Sequence, residues 1–179
     1  ITCLSGSNLY RKDVAPYYKM NRVNTRKPML LKFAKDYLAE KYNGMVEDNL
    51  EADDLLGILG SRSFDTVIWS LDKDLLTIPA FHLIEGRVVD VGLEEADYNF
   101  FYQTLVGDST DNYKGCPTIG AKKAAQLLNE KGSSWQTVLD AFESKGLGKE
   151  VAIENARLAR ILRDGEYNFE TKEVKLWAA

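Results

Sequence analysis

Two aspartates, Asp72 and Asp74, follow directly after the run Val67-Ile68-Trp69-Ser70-Leu71. β-branched and aromatic residues in a run this short predict a buried strand over residues 65–71. Ligands of open α/β sheets bind just beyond the carboxyl ends of such strands. The pattern therefore predicts an α/β fold with a ligand site at these two acids, although aspartates are equally typical of an ordinary turn.

Two further groups of acids lie at the ends of predicted helices. Glu51 precedes the predicted helix Ala52 to Leu59, whose first turn carries two aspartates, and another pair follows the predicted helix Leu93 to Val106. The helix dipole favours acids in a first turn, so each group alone is a weak signal. The seven acids that we predict to converge are Glu51, Asp53, Asp54, Asp72, Asp74, Asp108 and Asp111.

Seven carboxylates in one place would repel one another and raise each other's pKa values unless cations lay between them. Convergence therefore predicts bound metal. Oxygen ligands without a thiolate partner favour Mg²⁺ or Mn²⁺ over zinc, and the single histidine, His82, does not change that preference. The expected cofactors are two Mg²⁺ or Mn²⁺ ions, which in phosphodiester hydrolysis activate water and stabilise the leaving oxygen.

Charge is distributed unevenly along the 179 residues. The net charge is −4, yet residues 1–35 contain eight lysines and arginines against one acid, Asp13. Tyr10, Tyr17 and Tyr18 are interleaved with these cations, as in an element that grips a nucleic-acid strand, although a solvated helix face explains the pattern equally well. No apolar run approaches the ~20 residues of a membrane span, and two cysteines make no disulfide framework. We therefore expect a soluble cytoplasmic protein with free thiols and no membrane partner.

The C-terminal half carries helical patterns that glycines separate. They cover residues 93–106, 121–130, 134–143 and 149–163. The N-terminal half combines a predicted helix over 28–42 with two predicted strands over 81–84 and 88–91, which form either a hairpin or two short edge strands. The chain thus predicts an α/β part, residues 1–92, and a helical part, residues 93–179, that share one core.

A loop rich in glycine, residues 111–125, joins two of these helices as a hairpin. Gly115 and Gly120 would let backbone amides approach a phosphate, and Lys122 and Lys123 add positive charge at the start of the next helix. Such a loop predicts contacts that position a DNA duplex without reading its sequence, although a core loop would look similar.

Taken in order, these motifs resemble the 5′-nuclease superfamily, which includes phage 5′-to-3′ exonucleases, flap endonucleases and the nuclease domain of bacterial DNA polymerase I. The resemblance runs from about Leu9 to Gly165. It rests on Tyr10-Arg11, Tyr18-Lys19-x-x-Arg22, Glu51-Ala52-Asp53-Asp54, Ser70-x-Asp72-Lys73-Asp74, Gly107-Asp108-x-x-Asp111-Asn112 and the loop from Gly115 through Gly120-x-Lys122.

The resemblance implies both a fold and an activity. The fold is a mostly parallel central sheet flanked by helices, with a basic helical arch over about residues 9–27 and a helix-hairpin-helix element over about 107–130. The activity is that of a Mg²⁺-dependent, phage-like 5′ nuclease of DNA replication and repair. It would act as a monomer on DNA with a 5′ end or 5′ flap, and RNA–DNA hybrids stay open as substrates.

The resemblance also assigns roles to single residues. The seven acids would form a two-metal cluster, while Lys19 and Arg22 would be catalytic contacts to the scissile phosphate. Tyr18 matches a position that stacks on a base, and Arg11 belongs to the phosphate-binding face. In the hairpin loop, family members often bind a monovalent cation such as K⁺ through carbonyl oxygens. The remaining DNA contacts are predicted at Arg26, Lys27, Gly115, Gly120, Lys122 and Lys123.

Two acids of the family pattern have no counterpart in this sequence. Residues 1–10 contain no carboxylate, and Ser5 or a neighbour stands near the place of one of them. The strand that holds the other would precede Ile1. We therefore expect an N-terminally truncated chain whose site binds metal weakly and cuts slowly or not at all.

Three other functions remain as alternatives. One is a non-catalytic module of the same fold that holds branched DNA without cutting it. Another is a single-strand ribonuclease of the PIN type, which shares the acidic core but normally lacks an element like residues 111–125. The third is a haloacid-dehalogenase-like phosphatase, which fits poorly because Leu76 stands where its Asp-x-Asp motif wants threonine or valine.

Overall fold

The computed structural model describes all 179 residues of the chain. Its α-helices are α1 (Arg11–Val14), α2 (Leu31–Lys41), α3 (Ala52–Arg62), α4 (Leu93–Val106), α5 (Ala121–Lys131), α6 (Trp135–Glu143) and α7 (Lys149–Ala159). Its strands are β1 (Cys3–Ser5), β2 (Met45–Glu47), β3 (Val67–Trp69), β4 (Ala80–Ile84), β5 (Arg87–Val91), β6 (Tyr167–Asn168) and β7 (Glu173–Val174). Two 3₁₀ turns, Met20–Arg22 and Lys73–Thr77, complete the secondary structure. No helix is both long and apolar enough to cross a membrane.

The strands form three separate small sheets. β1 pairs with β2 in parallel, and β3 pairs with β4 in parallel. β5 then adds to β4 in antiparallel orientation, and β6 and β7 form a C-terminal hairpin. The α/β class is confirmed, but the predicted central sheet is not one continuous sheet, because β1 and β3 are not hydrogen-bonded to each other.

Local chemistry explains where the helices begin and end. At the start of α3, the backbone N–H of Glu51 donates to Oδ2 of Asp54 at 3.1 Å, which satisfies a donor at the helix terminus. α4 ends at Gly107, whose φ of 72° favours glycine. The helix predicted to reach residue 163 ends at Ala159, since Arg160 is extended and its guanidinium turns to Glu166 at 2.6 Å.

α4 connects the two parts of the molecule. It packs against α5, α6 and α7, and also against the 3₁₀ turn that carries Asp74. Phe100 on α4 and Phe142 on α6 are buried, and full burial of a side chain of this kind stabilises a fold by about 1.5–3 kcal/mol. The acids that follow β3 are therefore held at a fixed place relative to the helical part.

The segment from residue 9 to 27 forms no helical arch. It contains only the one-turn helix α1 and the 3₁₀ turn Met20–Arg22. α1 ends at Val14 because Ala15, which precedes Pro16, is extended, and residues 20–27 are all exposed. The prediction of a helical arch is wrong for this segment, which is basic but mostly irregular.

Candidate active site

One small cavity, of about 30 Å³, brings together five of the predicted acids: Glu51, Asp53, Asp74, Asp108 and Asp111. The start of α3, the 3₁₀ turn after β3 and the loop after α4 supply them. Asp72 caps the same 3₁₀ turn, because its Oδ1 accepts the N–H of Asp74 at 2.9 Å. The loop after α4 is closed by two backbone hydrogen bonds between Asp108 and Tyr113.

Asp54 lies behind this cavity rather than on it. Both of its oxygens accept 2.7 Å hydrogen bonds from the guanidinium of Arg11, and both residues are buried. The predicted role of Asp54 as a metal ligand does not fit this geometry, because Arg11 already occupies both oxygens. The predicted contact of Arg11 with a DNA phosphate does not fit either, because its guanidinium points into the protein.

Side chains from the segment between α1 and α2 neutralise one side of the cavity. Nζ of Lys19 contacts Glu51 and lies 3.3 Å from Oδ2 of Asp111, and Nη2 of Arg22 lies 2.7 Å from Oδ1 of Asp111. Burial alone would raise the pKa of Glu51, but Arg11, 3.1 Å from its Oε2, and Lys19 hold that pKa below its ordinary value. The hydroxyl of Tyr18 lies 2.8 Å from Glu51 and 2.7 Å from Asp111. Since the ring of Tyr18 is buried, its predicted stacking on a base does not fit.

Four of the seven acids form no salt bridge: Asp53, Asp74 and Asp108, which line the other side of the cavity, and Asp72 beside them. Burial, followed by repulsion from Asp72 and Glu51, raises the pKa of Asp53 to about 6. Burial, followed by repulsion from Asp72 and Asp108, raises the pKa of Asp74 to about 6 as well. This side therefore carries uncompensated negative charge.

The unpaired acids suit a divalent cation in charge and in ligand type. No three histidine, cysteine, aspartate or glutamate side chains converge closely enough to hold an ion as they stand. The carboxylates would therefore have to rotate towards one another to bind one. A bound cation would remove the repulsion that contributes to the raised pKa values of Asp53 and Asp74.

The predicted DNA contacts divide into exposed and buried residues. The exposed ones are Arg26, Lys27, Gly120, Lys122 and Lys123. Gly115 is buried, with a φ of 63°, and its N–H donates to Oδ1 of Asn155 at 2.9 Å. Its predicted approach to a phosphate does not fit, because that amide is already used inside the protein.

The sequence prediction missed two lining residues with polar side chains, Gln103 and Tyr113, besides three apolar ones. The only sequence signal for Gln103 was that it is a single polar residue near the apolar end of α4. The prediction also missed the pairing of Arg11 with Asp54, which are 43 positions apart. Spacing along the chain does not reveal a contact between residues so far apart.

Comparison with known proteins places the chain in a family. No protein-family model matches it. The exonuclease of Escherichia phage T7 is 30% identical over 209 residues, a match that covers 94% of this chain and 70% of the relative. The chain belongs to the 5′-nuclease superfamily.

Two further comparisons agree with this membership. The flap endonuclease Xni of Aeromonas salmonicida is 28% identical to this 5′ nuclease, over 93% of the chain and 72% of that protein. Among solved structures, the T5 D15 protein co-crystallised with metal ions has a TM-score of 0.62 at 18% identity, over 88% of this chain and 74% of that chain. The 5′-nuclease fold of this chain is thus shared with a protein that was crystallised together with metal ions.

Proposed function

We propose that this chain is a divalent-metal-dependent 5′ nuclease, an exonuclease or flap endonuclease that hydrolyses DNA according to structure rather than sequence. The observation that carries the proposal is the cavity where unpaired carboxylates lie beside the cations of Lys19 and Arg22. Relatives named exonuclease and flap endonuclease support it, as does a T5 D15 flap endonuclease structure that contains DNA and metal ions.

The four acids without a cationic partner would hold the metal: Asp53, Asp72, Asp74 and Asp108. Mg²⁺ suits these oxygen ligands, and Mn²⁺ is the next best match. When two such ions are bound, they activate the attacking water and stabilise the leaving oxygen. When Lys19 and Arg22 turn to a phosphate, Asp111 and Oε1 of Glu51 would complete the ligand set, while Oε2 of Glu51 stays with Arg11. Asp54 would serve the site indirectly by holding Arg11.

Lys19 and Arg22 would hold the scissile phosphate. Both now pair with carboxylates, and a phosphate competes for such cations because it accepts charge-assisted hydrogen bonds. The side chain of Arg22 is 45% exposed, so it can reach a phosphate outside the protein without crossing packed atoms. These two cations would therefore place the phosphate at the mouth of the acid cavity.

The loop before α5 would grip the duplex as the predicted helix-hairpin-helix element. Gly120 caps α5, and a side chain added there would meet no atom within 4 Å, so a phosphate can approach the first amides of the helix. Lys122 and Lys123 stand exposed beside them. The predicted K⁺ would bind carbonyl oxygens of the same loop. The cytoplasmic location, the monomeric state and the cleavage of RNA–DNA hybrids stay predictions.

The test is to incubate a labelled 5′-flap DNA with the protein, first with Mg²⁺ and then with a chelator. We expect cleavage near the flap junction with Mg²⁺ and none with the chelator. The affinity for the flap DNA should be the same in both conditions. Binding without cleavage in Mg²⁺ and in Mn²⁺ would instead support the DNA-binding module, which the names of the relatives do not favour.

A further inference from the structure

Gln103 makes a contact that the proposed roles above do not use. It lies in the last turn of α4, and its side-chain amide donates a 2.5 Å hydrogen bond to Oδ1 of Asp74. It lines the acid cavity and also an adjoining cavity of about 300 Å³. No other side chain donates to either oxygen of Asp74, so Oδ2 has no partner within the protein.

The chemistry of this donor differs from that on the opposite side of the cavity. There, Lys19 and Arg22 neutralise the carboxylates that they contact. An amide carries no charge, so it orients a carboxylate while the negative charge stays available to a cation. Hydrogen-bond partners that hold metal ligands in this way contribute to metal affinity without touching the ion.

The support behind Gln103 is rigid. Asn99 lies one helical turn earlier on α4 and donates a 2.9 Å hydrogen bond to the carbonyl oxygen of Leu76. Both α4 amides thus hold the same 3₁₀ turn, but Asn99 holds its backbone and Gln103 holds its carboxylate. Between them, Phe100 is fully buried and fixes the helix. Substitution of Asn99 therefore tests how the turn is held against α4, and substitution of Gln103 tests how the carboxylate of Asp74 is oriented.

We propose that Gln103 is a positioning residue that fixes Oδ1 of Asp74 and leaves Oδ2 for a divalent cation. The inference rests on the proposed function only in taking Asp74 as a metal ligand. It predicts that loss of the amide weakens metal binding while the fold and the binding of DNA are retained. Partners of metal ligands typically contribute about 10–100-fold in affinity or activity.

The experiment compares wild type with Gln103→Met, which keeps the length but removes the donor, Gln103→Ala as a second variant, and Asn99→Leu as the control. Mn²⁺ affinity is measured by calorimetric titration without DNA, and thermal unfolding reports the fold. Flap cleavage is measured over a range of Mg²⁺ concentrations. Gln103→Met should weaken Mn²⁺ binding about 10–100-fold. At saturating Mg²⁺ its kcat should recover, with an unchanged KM for the flap.

Three results separate the possibilities. Equal Mn²⁺ affinity in wild type and both folded Gln103 variants would overturn the inference. An equal loss in Asn99→Leu would also overturn it, because the effect would then come from docking of the turn. If the wild type binds Mn²⁺ but cuts no flap, the proposed function fails, while a weaker affinity in Gln103→Met still supports the role of Gln103.

Discussion

The guanidinium of Arg11 donates 2.7 Å hydrogen bonds to both oxygens of Asp54, and the two side chains are 3% and 0% exposed. The same guanidinium donates to the carbonyl oxygens of Leu158, in the last turn of α7, and of Arg160, just after that helix. Asp54 in turn accepts the N–H of Leu162 at 3.2 Å. This pair therefore joins α1, α3 and the chain that follows α7 directly behind the acid cavity.

Removal of Arg11 should strongly destabilise the fold. Arg11→Leu leaves a buried carboxylate without its partner, which typically costs about 3–5 kcal/mol. The matched control is Arg62→Leu, which breaks the exposed pair Arg62–Asp164 and should cost less than about 1 kcal/mol. Urea denaturation measures both. Similar small losses would show that the Arg11 pair does not support the fold.

Stability without metal should depend on pH through Asp53 and Asp74. Their pKa is raised to about 6 in the folded protein from an ordinary value of 3.8, so the folded state binds more protons than the unfolded chain between these values. Their contribution to stability is thus present at low pH and lost as the pH rises through about 6. The lowered pKa of Glu51 has the opposite effect, but only as the pH falls below its ordinary value of 4.5.

In the presence of a chelator, unfolding should therefore occur at a higher temperature at pH 5.5 than at pH 7.5. Because both side chains remain partly exposed, screening reduces the effect to about 1 kcal/mol, or about 2–4 °C in Tm. The double variant Asp53→Asn/Asp74→Asn should lose this dependence. A wild-type Tm that falls between pH 7.5 and pH 5.5 would contradict the raised pKa values.

Two glycines of the hairpin loop should respond differently to substitution. A Cβ at Gly115 would overlap the backbone of Gly107, and the φ of Gly115 is positive. Gly115→Ala should therefore lower the free energy of unfolding by about 1–3 kcal/mol or more, the range typical of backbone strain. Gly120 caps α5 in open space, so Gly120→Ala should cost less than about 1 kcal/mol. Chemical denaturation of the two variants tests this, and equal costs would be inconsistent with the packing of Gly115.

Lys122 should contact a phosphate of the duplex. A phosphate contact releases condensed counterions, so Lys122→Ala should flatten the dependence of log affinity on log salt by about one unit. Lys131→Ala, at the exposed far end of α5, is the control and should leave the slope unchanged. Duplex binding is measured at several salt concentrations with chelator present. An unchanged slope in folded Lys122→Ala would make Lys122 a solvated helix residue.

Local patterns predicted the parts of the fold that depend on local chemistry. The helix over 93–106 has the observed bounds of α4, and the predicted strands over 81–84 and 88–91 correspond to β4 and β5. The helical arch failed because Ala15, which precedes Pro16, is extended and ends α1 after one turn. The continuous sheet failed because pairing between β1 and β3 depends on contacts that no local pattern encodes.

The acid cavity was predictable for a different reason. An acid at the start of a helix or the end of a strand lies where that end lies in the fold. Because these ends come together, five of the seven acids converge as expected. The hydrogen-bond partners of Arg11 and Tyr18 were not predictable. A cationic or an aromatic side chain suits a DNA-binding surface as well as it suits a buried contact with a carboxylate. Only long-range packing buries them against Asp54 and Asp111.

The most direct test of the account is the single-turnover rate of 5′-flap cleavage in Mg²⁺ for wild type, Asp108→Asn and Asp140→Asn. Asp108 lines the acid cavity, whereas Asp140 lies on α6, where its exposed side chain accepts a hydrogen bond from Gln136. We expect Asp108→Asn to lose cleavage by about 100-fold or more, since even residues that only support metal ligands contribute about 10–100-fold, and Asp140→Asn to match wild type. Full cleavage by folded Asp108→Asn, or cleavage by wild type in a chelator, would contradict a metal-dependent nuclease site in this cavity.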